Sequence, residues 1–480
     1  MRSGWLIAAI AAIFFHAASA ERPASRRSPA VEALVEEAES VDPEFSSDVL
    51  IRAAVSAGAT DPAWERELLD EAFVRAYAAQ EPYRRVAAPL PPDTRQQAEA
   101  LAADARLDTV SLQLRVVQLM RLIAPAHARN LFEAIVVPVE AGACSSALVP
   151  AIDDYYAALG VLARETFPRS AIGRADALRF LELYLWRARL PSELPAVAKA
   201  IQQLPRTPEE AAYFERVLRV LMRTAETDAR GFSVSGLELV RRFTELETAD
   251  VRLGIAGSHL SDALRHLLAD QLQSARCRDS DAEGRIVAAF NLILELHQSM
   301  YDGVAPLTPA ETQPRRVLGA IRIDPLWETH DARRLRDAAI DLHGPTEKPP
   351  PLKTRLTSEW LWRAERLLAE IDQWTGTREP AERDYFFEKG MLYSGLVDLV
   401  PHGPVRTRVL RSFTDFLRHS DAEQRRQLWF IIANRLIELT QSEDSPQVIP
   451  ILEGSAHPAL VLYAHAARVL TPGKRQTALR

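Results

Sequence analysis

From Val41 to Pro82 apolar and polar residues alternate at three- and four-residue steps, the period of a helix with one buried face. Asp61 followed by Pro62 marks a helix start: the carboxylate caps the first turn, and proline sits where a missing N–H costs nothing. Trp64, Leu68, Leu69, Ala72, Phe73, Ala76 and Tyr77 then fall on one side and leave Arg66, Asp70, Glu71 and Arg75 for solvent. That face needs a partner, and the Val49–Val55 segment, ended by Gly58, is the nearest. The stretch reads as helix, tight turn, helix.

The same pattern runs through the rest of the chain. Residues 29–40, 107–124 and 126–136 carry it, and so do four dense amphipathic runs at 148–167, 174–189, 192–204 and 207–226. Proline marks the joints of those four at Pro168, Pro191, Pro205 and Pro208, and joints this short fold neighbouring helices back antiparallel. Thr207-Pro208-Glu209-Glu210 is a capping box in sequence form. Helical runs follow at 235–246, 251–275, 282–300, 324–342, 357–374, 379–400, 405–418 and 422–441, with a last pair around 449–452 and 458–470. No segment alternates with the period of a strand. The expected fold is all-α, built of stacked antiparallel helix hairpins in an α-solenoid. Residues 21–28 form a polar tail, 29–343 an N-terminal helical-repeat region, 344–354 a proline-rich linker taken as the domain boundary, and 355–480 a C-terminal helical region.

Helix pairs recur about every 35–45 residues, which suits stacked repeats. Phe73, Ala76 three residues on and a proline near the end of the hairpin carry a resemblance to the tetratricopeptide-like superfamily. Leu69 replaces the small alanine of that pattern, and Pro82 falls one place late. The resemblance implies degenerate repeats whose superhelix has a concave binding face. The opening hairpin also resembles uncharacterised secreted bacterial helical proteins, which implies no activity.

The first twenty residues change the picture of the compartment. Arg2, an apolar core from Trp5 to Phe15, and Ala18-Ser19-Ala20 form the tripartite pattern of a secretory signal cleaved before Glu21. No later run is long enough to cross a bilayer, so the mature protein is expected to be periplasmic or extracellular. There the chain's two cysteines, Cys144 and Cys277, are expected to pair. The net charge of −7 and the lack of a basic stretch interleaved with aromatics argue against binding nucleic acid.

Candidate chemistry is sparse. His259, Asp262, His266 and Asp270 fall on one side of a helix at metal-ligand spacing, although a solvated polar side explains them as well and H-E-x-x-H is missing. Asp153-Asp154 lacks a third acid, because Ala157 follows, and reads as a helix start. The aromatics after the linker, Trp360, Trp362, Trp374, Tyr385, Phe386 and Phe387, fit core packing or a carbohydrate or peptide groove. Trp64, Tyr77, Trp360 and Trp374 are the candidate surface aromatics. No catalytic set, cofactor motif or metal site is expected. The expected function is an exported helical-repeat protein that binds a protein or peptide partner without catalysis. The alternative is an enzyme on a helical toroid that acts on a glycan through paired carboxylates.

Overall fold

The computed structural model describes residues 27–470 apart from 59, 80–83, 87–92, 138–143, 145–147, 205, 256–258, 279, 298–300, 302, 321–323, 345–347, 377–381 and 421–425. The leader, Pro82, most of the Ala87–Asp93 connector and part of the 344–354 linker lie outside the described residues.

The elements run α1 (Pro29–Ala38), α2 (Pro43–Ala57), α3 (Pro62–Ala76), β1 (Arg84–Val86), α4 (Arg95–Asp104), α5 (Thr109–Ile123), α6 (Pro125–Glu133), β2 (Leu148–Pro150), α7 (Ile152–Glu165) and α8 (Ala171–Leu185). They continue with α9 (Leu194–Gln202), α10 (Pro208–Thr224), α11 (Gly231–Arg252), α12 (His259–Gln273), β3 (Arg276–Arg278), α13 (Ser280–Leu296), β4 (Val317–Ala320) and α14 (His330–His343). The last are the single turn α15 (Leu352–Arg355), α16 (Ser358–Gln373), α17 (Glu382–Leu399), α18 (Pro404–Arg418), α19 (Arg426–Leu439), α20 (Ser445–Glu453) and α21 (Pro458–Val469). The fold is all-α. Its strands are three or four residues long: β1 pairs antiparallel with β2, and β3 pairs parallel with β4. Runs this short are below the length at which period-2 alternation can be read.

The local start signals work as chemistry requires. Asp61 accepts from the N–H groups of Ala63 and Trp64, and Thr207 and Glu210 exchange both bonds of the capping box at the head of α10. Several boundaries differ from the sequence reading: α4 is not among the expected runs, α12 begins at His259 and not at Val251, and α14 begins at His330 and not at Asp324. Residues 247–250 continue α11 to Arg252, because Gly254, in the left-handed region at φ +82°, supplies the stop.

Packing runs between alternate helices, α3 on α5, α5 on α7, α7 on α9, α9 on α11 and α11 on α13. In the second half α14 and α16 pack together and on α17, α17 on α19, α18 on α20 and α19 on α21. The chain then meets its own beginning: α21 packs on α1 and α2, and α19 on α4. At this junction Phe45 of α2 contacts Trp429 and Phe430 of α19 and Tyr463 of α21, with ring centroids 5.5, 6.0 and 6.3 Å away.

Asp48, buried beside them, accepts from Arg115 at 2.7 Å and from the Tyr463 hydroxyl at 2.9 Å, and pairs with Arg52 at 2.8 Å. Burial alone would raise the Asp48 carboxyl. The charges of Arg52 and Arg115 and the bonds from Arg115 and Tyr463 outweigh it and hold the group at about 2. A second clasp holds α4. Arg95 donates its backbone N–H to Asp324 and its Nε to the buried Asp384 of α17, which also accepts from the Trp327 N–H.

Candidate functional site

Helices α16, α17 and α18 enclose a cavity of about 400 Å³. Its construction begins with the end of α16, whose last carbonyls have no partner within the helix. Lys389 of α17 supplies one: its Nζ donates to the Trp374 carbonyl at 2.6 Å, the Tyr385 hydroxyl at 3.2 Å and the Asp372 carbonyl at 3.4 Å. The Tyr385 hydroxyl donates to the same Trp374 carbonyl at 2.7 Å. An ammonium at the negative end of a helix dipole is favourable, and here the cation also lies 5.6 Å from the ring centres of both Tyr385 and Phe416. Burial nevertheless pushes the Lys389 amine down from its ordinary value, with Asp372 opposing.

Phe386, Lys389 and Tyr393 form the buried floor, while Asp372, Asp415 and His419 are exposed around it. Phe386 stacks on Phe416 at 5.3 Å and Tyr393 on Phe413 at 5.5 Å, so the aromatic side is rigid. Asp372 accepts from the Tyr393 hydroxyl at 2.7 Å on one oxygen and from the Ser412 hydroxyl at 3.1 Å on the other. Burial first, then Asp372, push the Tyr393 phenol well up, and burial alone takes Tyr385 up to about 12, so both remain neutral donors. His419 Nδ1 lies 2.7 Å from the Asp415 carbonyl, which can only accept, so Nδ1 is the donor of this bond. The rim thus offers two carboxylates and an imidazole ring, above aromatic faces and one internal cation.

The residues singled out from sequence fall in several places. Trp64, Trp360 and Trp374 are not surface aromatics: each is under 10% exposed, because their helices turn these large faces into the core. Trp360 spends its N–H on the Leu342 carbonyl, and the Trp374 ring stacks on Trp327 and meets Tyr385 edge-on. Tyr77 is 73% exposed, as it caps the end of α3 and lies beyond its buried stripe. Of the later aromatics, Tyr385 and Phe386 line the cavity, Phe387 is core and Trp362 is exposed.

Asp262, His266 and Asp270 stand exposed on α12, with His266 Nε2 3.7 Å from Asp262, and the side chain of His259 lies outside the described residues. Cys144 and Cys277 form a disulfide with Cα atoms 5.4 Å apart. Among the described residues no helix is long and apolar enough to cross a membrane.

Sequence reading missed Lys389, Asp372, Ser412, Asp415 and His419. Lys389 is one of only five lysines, with Lys199, Lys348, Lys353 and Lys474, among 58 basic side chains, but the buried Arg406 bonds carbonyls at the end of α17 in the same way, so residue type alone does not single it out. No protein-family model matches the chain, and no curated protein does.

Proposed function

We propose that this is an exported, non-catalytic helical protein that binds a polypeptide partner, and that the cavity between α16, α17 and α18 receives a basic side chain of that partner. The observation that carries the reading is the pair of rim carboxylates, Asp372 and Asp415, around an aromatic wall where an ammonium is already held between Tyr385 and Phe416. Such a wall suits a lysine or arginine stem, and the carboxylates suit its head. The alternate packing of α3, α5, α7, α9 and α11 suits the tetratricopeptide-like resemblance of the opening hairpin. Export is supported by the leader pattern and by the Cys144–Cys277 bridge.

A peptide array probed with the mature, oxidised protein tests the reading. Retained peptides are expected to share an arginine or lysine at one position, and Asp415→Asn should weaken them at least tenfold while leaving the thermal midpoint in place. Retention without a basic preference, or no retention at all, overturns it. The second reading, a glycan-acting enzyme, is favoured by the packing of the last helices on the first and by two carboxylates beside aromatic faces. Release of reducing ends from a glycan panel, lost in Asp372→Asn, would replace the first reading with this one.

A further inference from the structure

The segment between α10 and α11 is held from several directions. The Glu226 N–H donates to the Arg189 carbonyl at 2.8 Å, and the Asp228 N–H to Gln271 Oε1 at 3.1 Å. Gln271 Nε2 donates back to the Glu226 carbonyl at 3.3 Å, and the Cys277 N–H reaches the Ala229 carbonyl at 2.7 Å. The bridge to Cys144 fixes Cys277 in turn. Next in this clamped segment is Arg230, only 3% exposed, and its Nε and Nη2 have no hydrogen-bond partner. Those two N–H groups form one edge of the guanidinium, the edge that grips a carboxylate or phosphate through two parallel bonds.

Other buried arginines of this chain are spent differently. Arg276 donates to Glu283 and to the carbonyls of Gln271 and Thr312; Arg406 donates to both oxygens of Asp444 and to the carbonyls of Val397 and Val400. Around Arg230 stand Arg84 of β1 and Asp228, one charge of each sign. Burial and then the neighbouring Arg84 of β1 push its guanidinium down from its ordinary value, and the attraction of Asp228 ranks below both. Arg230 also stands at the N-cap of the 22-residue α11, whose first turn has no acidic residue and no side-chain cap. At that start the Asp228 carboxylate accepts the Arg230 backbone N–H at 3.4 Å, while the guanidinium edge of Arg230 has no such partner.

We propose that the free guanidinium edge of Arg230, with Arg84 beside it, is the seat of a small oxyanion, either a carboxylate or a phosphate. Isothermal titration of the full oxidised protein at low ionic strength, once with inorganic phosphate and once with acetate, tests this. Saturable one-to-one binding of at least one probe is expected. Arg230→Lys keeps the charge and loses the two-donor edge, so it should weaken binding at least tenfold; Arg84→Gln should weaken it several-fold. Preference for phosphate points to a free inorganic oxyanion, and preference for acetate to the carboxylate of a partner. Two results overturn the site: no saturable heat with either probe, or an affinity unchanged by Arg230→Lys. Should Arg230→Lys fail to fold, unchanged affinity in Arg84→Gln overturns it equally.

Discussion

Asparagine in place of Asp48 tests what joins the ends of the chain. The carboxylate faces Arg52, Arg115 and the Tyr463 hydroxyl inside the junction of α2, α5 and α21, and asparagine keeps its shape while deleting its charge. Its pKa falls from an ordinary 3.8 to about 2; at about 1.4 kcal/mol per pH unit this amounts to about 2.5 kcal/mol of stability at neutral pH. The variant also leaves two half-buried guanidiniums without their anion, against a loss of about 3–5 kcal/mol in fully buried pairs. A total of about 2.5–4 kcal/mol follows, since the two figures describe the same interaction and solvent screens part of it. Urea unfolding at pH 7, followed by circular dichroism, should lose about 1 M from its midpoint at a slope of about 3 kcal/mol per molar. The sign with pH is fixed as well. The folded pKa lies below the unfolded one, so the contribution is complete above about pH 4 and is lost as pH falls from 4 to 2. The gap between wild type and variant should close over that window. A midpoint within about 0.2 M of wild type, or a gap constant with pH, would refute the assignment of Asp48 as a paired, buried anion.

Asp250 should behave with the opposite sign. Burial pushes it up to about 6 despite Arg206 at 3.0 Å, so the native state gains stability as pH falls from about 6 to 4, and Asp250→Asn should remove up to about 3 kcal/mol of that rise in urea titrations. The Cys144–Cys277 bridge spans 133 positions, and chain entropy assigns it about 5 kcal/mol as an upper figure; the double serine variant should unfold at lower urea, and mass spectrometry of the unreduced wild type should find two hydrogens fewer than after reduction. Lys389→Met leaves the Trp374 and Asp372 carbonyls at the end of α16 without their ammonium and is expected to destabilise by about 1–3 kcal/mol, read as a lower thermal midpoint; Lys389→Ala should cost more, through the cavity it adds.

Local features were legible because each is decided within a few residues. The Asp61-Pro62 start, the Thr207–Glu210 box and the apolar stripe of α3 depend only on spacing and on the hydrogen-bonding power of the first turn. Helix α4 escaped for an equally physical reason. Its buried positions are Gln96, Ala98, Ala100, Ala102 and Ala103, small or polar side chains that give no large apolar stripe where it packs on α19. In α2 the rule inverts. Glu44, Ser46, Ser47 and Asp48 would be assigned to solvent by pattern, yet all are buried as α1, α3, α5 and α21 pack around the helix: Ser46 accepts from Arg75 of α3, and Asp48 from Tyr463 at the far end of the chain.

That last case explains why the candidate site was harder to read than the fold. Burial of an isolated charge is tolerated only when partners arrive to hold it. For Asp48 one partner is Tyr463, more than four hundred residues away. For Lys389 they are carbonyls of the preceding helix and the ring of Phe416 on the next. Periodicity registers whether a side chain is apolar and not whether a distant group completes it, so every charged residue of the junction and of the cavity looks like an ordinary surface position in the sequence. Residue type does not mark such sites either: Lys389 at the end of α16 and Arg406 at the end of α17 both donate to helix-end carbonyls, one through an ammonium and the other through a guanidinium.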